Sequence, residues 1–398
     1  MSTATAPTID ANTLDPEFWV DVDAMHATFR AARRNGPLAW DATNRLWVIL
    51  GHAEIQAVEG NSAVFVSGQG YRSFFAEGED NMISLDDPQH AQQRKLVARR
   101  FTPKAVRQLE PYLRALIAEL IDGIDDQSRV DVVRELAAPL PARLTAHLLG
   151  FPEDRWPDIQ TWSERLMRYD QALTDLDAAQ GFMDAIGEFS ALLFPTEAAR
   201  KAEPQDDLIS VWAHAEAAGC PYTAQMLVNE TGLVISGGAE TTRTVISRGL
   251  ATLAEHPEQW EAMAADPSLV PGAVEELIRW VTPLNNFFRT ATADIEVAGT
   301  PIAAGDRILL AYPSANRDER VFTDPDSFDI RRSPNPQIAF GFGTHFCLGA
   351  SLARFELALL FTELTRRFTD LQLVEAPDIE PNVFVGAVRS LTMGFTPR

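Results

Sequence analysis

The sequence predicts a mainly α-helical fold with a minor β-sheet, and three observations lead to this fold class. Apolar residues recur at spacings of three and four over long stretches in the middle of the chain. Strand-like patterns are short and confined to two places. No Gly/Ser-rich or Pro-rich linker divides the 398 residues, so we expect a single domain over 1–398, with about the first 15 residues as a flexible segment.

Proline, glycine and capping residues delimit the elements in order along the chain. A strand is predicted at 46–50, where a short apolar run is typical of a buried strand. Asp86-Asp87-Pro88 is a good helix start. Further helices are predicted at 103–124, 156–169, 223–255, 270–280 and 348–368. A hairpin around Gly299 and Gly305 is predicted from segments 295–302 and 307–311.

Composition and charge narrow the class of protein. With 46% hydrophobic and 23% charged residues, the chain has the composition of a globular protein that buries a large core around a ligand. The first 15 residues do not form a signal peptide, and no apolar run approaches the roughly 18 residues of a membrane span. We therefore expect a cytoplasmic protein. The net charge of -22 argues against nucleic acids and anionic membranes as partners.

One basic stretch departs from this acidic background. No Asp or Glu occurs between Pro88 and Leu109. A run of like charges is usually a solvated face, and a docking surface for an acidic partner is the alternative. The cations of this stretch are Arg94, Lys95, Arg99, Arg100, Lys104 and Arg107.

The chain has two cysteines, Cys220 and Cys347, which excludes a disulfide framework and a four-cysteine metal site. Cys347 ends a glycine-rich loop just before a predicted helix. Free N–H groups and the helix dipole stabilise a thiolate at such a junction, and a thiolate is a strongly donating iron ligand. Two alternatives stay open from the residues alone: a buried, inert cysteine, and a nucleophile with His345 as its base. Zinc is a poor rival because two further ligands are lacking nearby.

The glycine-rich loop has a highly specific pattern, formed by Phe340, Gly341, Gly343, His345, Cys347 and Gly349. This pattern closely resembles the haem-binding signature of the cytochrome P450 family, in which the cysteine thiolate binds haem iron. The resemblance implies the cytochrome P450 fold, haem b as cofactor and dioxygen as cosubstrate. It also implies that Cys347 is the iron ligand and that Phe340, Gly341, His345 and Gly349 help to bind the cofactor.

The predicted helix 223–255 contains two interior glycines, Gly237 and Gly238, just before Glu240 and Thr241. Each interior glycine costs about 1 kcal/mol relative to alanine, which suggests a purpose. The glycines would let the helix pass close to haem, with Gly238 against the cofactor, and a local break would free a carbonyl. A helix-packing notch beside a solvated Glu240 is the alternative. The family's distal helix shows the same order, which implies that Glu240 relays protons and that Thr241 acts in oxygen activation.

Glu276 and Arg279 lie one helical turn apart on one face of a predicted helix. By itself this spacing is typical of an ordinary surface ion pair. In the family, a buried Glu-x-x-Arg pair joins a third arginine and holds the core near the cysteine loop. The resemblance therefore implies a structural role, with Arg332 as the third member and Arg331 as the less favoured choice.

Four basic side chains match the family's contacts to the haem propionates. His90 and Arg94 are four residues apart on one predicted helix, and Arg289 and His345 match further contacts. Cationic and hydrogen-bonding groups suit buried carboxylates, and arginine suits bidentate pairing. For each of them, a solvated residue or one satisfied within the core is the alternative.

The chemistry implied by the family is insertion of one oxygen atom from dioxygen into a substrate C–H bond. No dinucleotide-binding fingerprint is visible in the chain. The resemblance therefore implies a separate ferredoxin and ferredoxin reductase as partners, with the basic stretch as the docking surface. Two other functions stay open: a peroxide-driven peroxygenase, whose relatives lack the acid-threonine pair, and a non-catalytic haem sensor, which has no evident need of a proton relay.

The segments expected to line the substrate pocket are 66–83, 166–194, 284–287 and 384–385. They are mostly apolar and include aromatic residues, so a large hydrophobic substrate is expected. The cysteine loop and segment 137–141 resemble actinobacterial steroid side-chain hydroxylases, which implies a steroid of the cholesterol type. Terpenoids and fatty acids are the alternatives. The residues expected in the pocket are Ile83, Val234, Leu284, Phe287 and Phe384.

Overall fold

The computed structural model describes residues 7–124, 127–216, 219–220 and 222–398. The chain divides into two compact units. The first unit comprises residues 1–77, 275–347 and 380–386, and the second comprises 78–274, 348–379 and 387–398. The prediction of a single domain over 1–398 stays a prediction.

Helices account for most of the secondary structure of the described residues, as predicted. The helices are α1 (Val22–Arg33), α2 (His52–Gly60), α3 (Gln89–Val97), α4 (Pro103–Gln108), α5 (Glu110–Asp122), α6 (Pro139–Leu149), α7 (Trp156–Met167), α8 (Leu176–Ala202), α9 (Leu208–Ala213), α10 (Ala224–Glu255), α11 (Pro257–Ala265), α12 (Val270–Val281), α13 (Tyr312–Ala315) and α14 (Ala350–Arg367). The strands are β1 (Leu38–Asp41), β2 (Leu46–Ile49), β3 (Phe65–Val66), β4 (Val130–Asp131), β5 (Asn286–Ala291), β6 (Ile295–Val297), β7 (Thr300–Ile302), β8 (Arg307–Ala311), β9 (Phe368–Leu373), β10 (Asp378–Ile379), β11 (Val388–Ser390) and β12 (Thr392–Pro397).

The first unit is built around a five-stranded sheet with the order β1-β2-β8-β5-β3. Strand β8 runs parallel to β2 and antiparallel to β5, so it is a central strand. Ile308, Leu309 and Leu310 on β8 are fully buried, because one face of the sheet packs on α2 and α13 and the other on α1. Strands β6 and β7 form a separate hairpin in this unit.

The second unit is mainly helical. Helix α10 is its long central element and packs against α6, α7 and α8. Aromatic side chains such as Trp162, Phe189 and Trp212 fill the core between these helices. Two small sheets, β4-β12-β9 and β10-β11, complete the unit.

Helix 103–124 was predicted as one element and is two. Helix α4 ends at Gln108 and α5 begins at Glu110, because Pro111 occupies the first turn of α5. A proline there has no N–H to continue the preceding helix, whereas it is well tolerated in a first turn. The other predicted helices agree with α7, α10, α12 and α14 to within two residues at each end.

The predicted hairpin around Gly299 and Gly305 is correct in its first half only. Strands β6 and β7 pair across a turn in which Gly299 has a φ of 81°. Segment 307–311 is strand β8, and it pairs in the five-stranded sheet instead of extending the hairpin. The turn before it, with Gly305 at a φ of 91°, directs the chain into that sheet.

Residues 1–6 of the segment predicted to be flexible lie outside the described residues. Beyond them, the N–H of Ile9 donates to the carbonyl of Trp40, and the hydroxyl of Thr13 donates to Asp41. Of the helices that the structure describes, none is both long enough and apolar enough to cross a membrane.

Candidate functional site

Cys347 lies at the end of a tight loop, residues 340–347, here called the cysteine loop. Its backbone N–H donates to the carbonyl of Phe340 over 2.8 Å and closes the loop. Gly341 and Gly343 have φ values of 70° and 67°, in the left-handed region that favours glycine. Cys347 is exposed, so the alternative of a buried, inert cysteine describes Cys220 rather than Cys347.

The cysteine loop packs against Glu59, a buried residue at the end of α2. A Cβ on Gly343 would overlap the carbonyl oxygen of Glu59, so the loop can pack this closely only with glycine there. The Glu59 carboxylate accepts hydrogen bonds from the hydroxyl of Tyr312 at 2.7 Å and from Arg289 at 3.3 Å. Burial raises the pKa of Glu59, and the charge of Arg289 and the hydroxyl of Tyr312 oppose that rise.

Two of the predicted propionate contacts lie in the same unit as the cysteine loop. Arg289 lies on β5 with its guanidinium buried, and its Nη1 also donates to the carbonyl of Phe288. His345 lies within the loop, with Nε2 3.3 Å from the hydroxyl of Ser67. An exposed thiol on a glycine-turned loop, with a guanidinium and an imidazole in the same unit, is a set of groups that fits haem and its carboxylates.

The Glu-x-x-Arg pair is buried, so it is not the surface ion pair that the spacing alone would suggest. The guanidinium of Arg279 makes two 2.7 Å bonds to the carboxylate of Glu276, and both side chains are 0% exposed. Arg332 completes the triad with Nε at 3.1 Å from Glu276. Arg331 is exposed, and its N–H donates to Asp329 instead. The arrangement favours Arg332 as the third member, as predicted.

In the second unit, Glu240 and Thr241 lie midway along α10. The hydroxyl of Thr241 donates to the carbonyl of Gly237 at 3.0 Å. The predicted local break is absent, since α10 runs continuously from Ala224 to Glu255. The hydroxyl therefore makes a second bond to a carbonyl that remains within the helix.

The two glycines before Glu240 have different surroundings. A Cβ on Gly238 would lie 2.8 Å from the hydroxyl of Thr145 on α6, so this glycine permits helix packing. A Cβ on Gly237 would meet no described atom within 4 Å. The contact with Thr145 fits the packing-notch alternative for Gly238, and the place of Gly238 against the cofactor stays a prediction.

Glu240 is buried but carries an ion pair, so it is not the solvated side chain of the alternative interpretation. Arg243, one turn further along α10, approaches Glu240 at 3.2 Å and Glu164 of α7 at 2.5 Å. Its Nη2 donates to the carbonyl of Val388 at 2.8 Å. Sequence reasoning missed this arginine, although its spacing of three residues from Glu240 was a visible signal.

The other two predicted propionate contacts lie on α3 in the second unit. His90 is buried, and its Nδ1 lies 3.1 Å from the carboxylate of Asp87. Arg94 follows one turn later on the same helix and is half-buried. Both residues therefore share one face of α3, as the spacing predicts.

The basic stretch is only partly available as a charged surface. Arg100 is 25% exposed and forms a 2.7 Å ion pair with Asp206, so its charge is largely offset within the chain. Arg100 is therefore less available for docking than the exposed cations of the stretch. The exposed cations of the stretch are Lys95, Arg99, Lys104 and Arg107.

Three of the predicted pocket residues come together in the first unit. The rings of Phe287 and Phe384 are 5.2 Å apart in an edge-to-face arrangement, and Leu284 bridges to Val385 beside them. Arg72 lies over the ring of Phe384 at 4.3 Å. In the second unit, Val234 packs on the core of that unit, and Ile83 follows Met82 of the same core.

Comparisons with known proteins identify the family of the chain. The cytochrome P450 family profile matches residues 193–391. The chain is 38% identical to the Mycobacterium tuberculosis protein named steroid C26-monooxygenase, over 98% of both chains. It is also 34% identical to the Mycobacterium bovis protein named methyl-branched lipid omega-hydroxylase, covering 96% of this chain and 94% of that protein.

Solved structures show the same fold. A Mycobacterium marinum cytochrome P450 in complex with pseudoionone superposes with a TM-score of 0.90 at 32% identity, covering 99% of this chain and 100% of that one. The similarity extends over nearly the whole length of the chain. The chain therefore belongs to the cytochrome P450 family, and it is a monooxygenase that uses haem b and dioxygen.

Proposed function

We propose that this monooxygenase hydroxylates the side chain of a steroid with electrons from a ferredoxin. The observation that carries the proposal is the 38% identity over 98% of the chain to a protein named steroid C26-monooxygenase. The edge-to-face pair of Phe287 and Phe384, with Leu284 beside it, supplies an apolar wall suited to a large hydrophobic molecule.

The predicted site residues bind different parts of the cofactor. Cys347 is the iron ligand, because its thiol is exposed on a loop that glycine turns and Glu59 hold in place. Arg289, His345, His90 and Arg94 bind the propionates through charge-assisted hydrogen bonds. Haem supplies the redox chemistry that activates dioxygen.

Glu240 and Thr241 deliver protons in the proposed reaction. The carboxylate of Glu240 takes up protons from the solvent side, and the hydroxyl of Thr241 exchanges its bond to Gly237 for one to the reacting oxygen. Both steps need only rotation of a side chain, because α10 itself is continuous around them. The acid-threonine pair thus favours a dioxygen-dependent reaction over the peroxide-driven one.

A separate ferredoxin is proposed to dock on the exposed part of the basic stretch, with both proteins in the cytoplasm. Arg99, Lys104 and Arg107 are exposed there, against a net charge of -22 for the whole chain. Attraction between exposed charges falls as the Debye length shortens from about 10 Å at 0.1 M salt to about 3 Å at 1 M. Reduction by a ferredoxin should therefore slow as salt is added.

Stopped-flow reduction tests this docking surface. We expect Lys104→Glu and Arg107→Glu to lower the association rate. Arg34→Glu, at the end of α1 in the first unit, changes the net charge by the same amount as Arg107→Glu and serves as the matched control, so it should leave the rate near wild type. Rates that do not depend on salt, with all three variants alike, would assign this stretch to an ordinary solvated face.

The substrate proposal is tested by a panel of steroids, methyl-branched lipids, terpenoids and fatty acids. The similarity to a methyl-branched lipid omega-hydroxylase makes such lipids the second candidate class. Binding is followed by the absorbance change on loss of the water ligand, and products are identified by mass spectrometry. A side-chain-hydroxylated steroid as the best product supports the first proposal, and selective turnover of a branched lipid supports the second. No oxygenated product from any class, with a reducible cofactor, would contradict both.

A further inference from the structure

Arg243 is shared between two carboxylates that differ in their access to solvent. Glu240 lies on α10 and its side chain is 2% exposed, whereas Glu164 lies on α7 and its side chain is 29% exposed. The arginine between them is 6% exposed. Its Nη1 lies 2.5 Å from Glu164 and 3.2 Å from Glu240, so the shorter contact is to the more exposed acid.

This sharing reduces the cost of changing the charge on Glu240. When the only anion paired with a buried cation becomes neutral, the fold is strongly destabilised, because an uncompensated charge stays buried. This cost would oppose protonation of the anion. Here Arg243 keeps Glu164 and the carbonyl of Val388 when Glu240 becomes neutral. Glu240 can therefore take up a proton and rotate while the arginine stays compensated.

We propose that Arg243 and Glu164 are positioning residues that hold the Glu240 carboxylate and set how readily it exchanges a proton. The inference rests on the proposed function, in which Glu240 delivers protons. It assigns no contact with substrate or cofactor to Arg243 or Glu164; they act through Glu240 alone.

Other charged groups on the elements packed against α10 have partners or positions of their own. Three arginines have ion pairs of their own: Arg143 on α6 with Glu119 and Glu153, Arg165 on α7 with Glu188, and Arg134 with Glu135. Arg389 on β11 is exposed, and Glu356 on α14 is buried. The ion pairs of Arg243 with Glu240 and with Glu164 thus form one cluster.

Two substitutions should move the protonation of Glu240 in opposite directions. Arg243→Gln removes the adjacent cation, so the neutral acid is favoured and the midpoint should rise by at least about one pH unit. Glu164→Gln removes the second anion that shares Arg243 with Glu240, and it should lower the midpoint. Arg243→Lys retains the charge and should restore most of the wild-type value.

Infrared difference spectra of the ferric protein during a pH titration measure this midpoint directly. The carbonyl stretch of the protonated carboxyl is assigned to Glu240 by its loss in Glu240→Gln. Glu119→Gln provides a matched control, because it removes one of two carboxylates that share Arg143, and it should not move the midpoint. If Arg243→Gln does not fold, Glu164→Gln and Arg243→Lys still give the two required comparisons.

The product formed per NAD(P)H, measured against pH, supplies the second readout. We expect its profile to shift with the infrared midpoint in each variant. Equal midpoints in all variants, or a shift of both in one direction, would overturn the inference and leave only helix packing. If instead Glu240→Gln leaves the product ratio unchanged, proton delivery by Glu240 fails, while the midpoint shifts still report whether the cluster exists.

Discussion

The cysteine loop and the acid-threonine segment of α10 are held in different ways. The loop depends on fixed geometry, with glycines at positive φ packed on the buried Glu59. Glu240 depends on an ion pair with Arg243, which has a second carboxylate available in Glu164. Removing one contact would distort the loop, whereas the ion pairs of the α10 segment can exchange without moving the backbone.

This difference corresponds to what each region must do in the proposed function. An iron ligand has to keep one position, and a loop with little freedom to rearrange provides that. A proton-delivering acid has to change charge in a buried place, and a shared counter-ion lowers the penalty for that change. The comparison therefore predicts sharp structural losses at the loop and graded, pH-dependent effects along α10.

The largest effect is expected at Cys347. Cys347→Ser removes the thiolate, so the reduced, carbon monoxide-bound protein should lose the red-shifted Soret band of thiolate ligation, and turnover should fall to background. Cys220→Ser is the matched control, since Cys220 is a buried cysteine outside the loop. A Cys347→Ser protein that keeps both the band and the activity would rule out Cys347 as the ligand.

A smaller loss is expected at Thr241, in the exchangeable region. Thr241→Ala should keep haem and substrate binding, because its hydroxyl bonds a carbonyl already within α10. Proton delivery should become slower, so the product formed per NAD(P)H should fall several-fold and hydrogen peroxide should be released instead. This loss is smaller than the roughly 100-fold or more that general acid catalysis contributes. Thr241→Ser keeps a hydroxyl and should restore the ratio. An unchanged ratio in Thr241→Ala would exclude the threonine from this role.

The sequence predicted the local and motif-based parts of both regions well. Helix α10 and the arrangement of Glu276, Arg279 and Arg332 follow from short spacings and from the family resemblance. Pro111 indicates a helix boundary within segment 103–124. The prediction of a single helix there followed the periodicity of apolar residues and did not use this proline.

The remaining features depend on contacts between residues far apart in the chain. Glu59 meets Tyr312 and Arg289, more than two hundred positions away, and nothing local distinguishes it from a surface glutamate. Strand β8 pairs with β2 over a similar separation in sequence. The turn at Gly305 therefore could not show that β8 belongs to the five-stranded sheet. Gly238 faces Thr145 because α6 and α10 pack closely, which a glycine in a helix indicates only in general terms.

The rigidity of the cysteine loop can be tested with two glycines of the same backbone type. Gly343 and Gly299 have φ values of 67° and 81°, so alanine at either costs about 1–2 kcal/mol of backbone strain. Only Gly343 would also place its Cβ against the carbonyl of Glu59, whereas a Cβ on Gly299 meets no described atom within 4 Å. Gly343→Ala should therefore lower the free energy of unfolding more than Gly299→Ala in urea titrations, and weaken haem retention. Equal losses would show that the loop can shift to accept a side chain.

The smallest effect concerns Glu230, a second buried acid on α10, and it separates burial from ion pairing. Its Oε1 accepts a 2.7 Å hydrogen bond from the N–H of Met82, and its Oε2 has no hydrogen-bond partner among the described atoms. Burial raises the pKa of Glu230 from 4.5 to about 8, although the Met82 hydrogen bond opposes the rise.

A raised pKa in the folded state means that the folded protein holds this proton more tightly than the unfolded chain. The resulting stability is fully present below the unfolded pKa, near 4.5, and is lost as pH rises through about 8. Glu230→Gln keeps an acceptor for Met82 without ionising, so it should match wild type at pH 5 and be the more stable protein at pH 9. The gap should grow by no more than about 1.4 kcal/mol per pH unit, measured by urea unfolding at each pH. Glu119→Gln should show no such change in the gap between pH 5 and pH 9, because the hydrogen bond from Arg143 lowers the pKa of Glu119 from 4.5 and its contribution is lost only as pH falls below that value. If Glu230→Gln and wild type instead keep a constant difference across this range, Glu230 is not protonated in the fold, and burial on α10 does not by itself hold a proton.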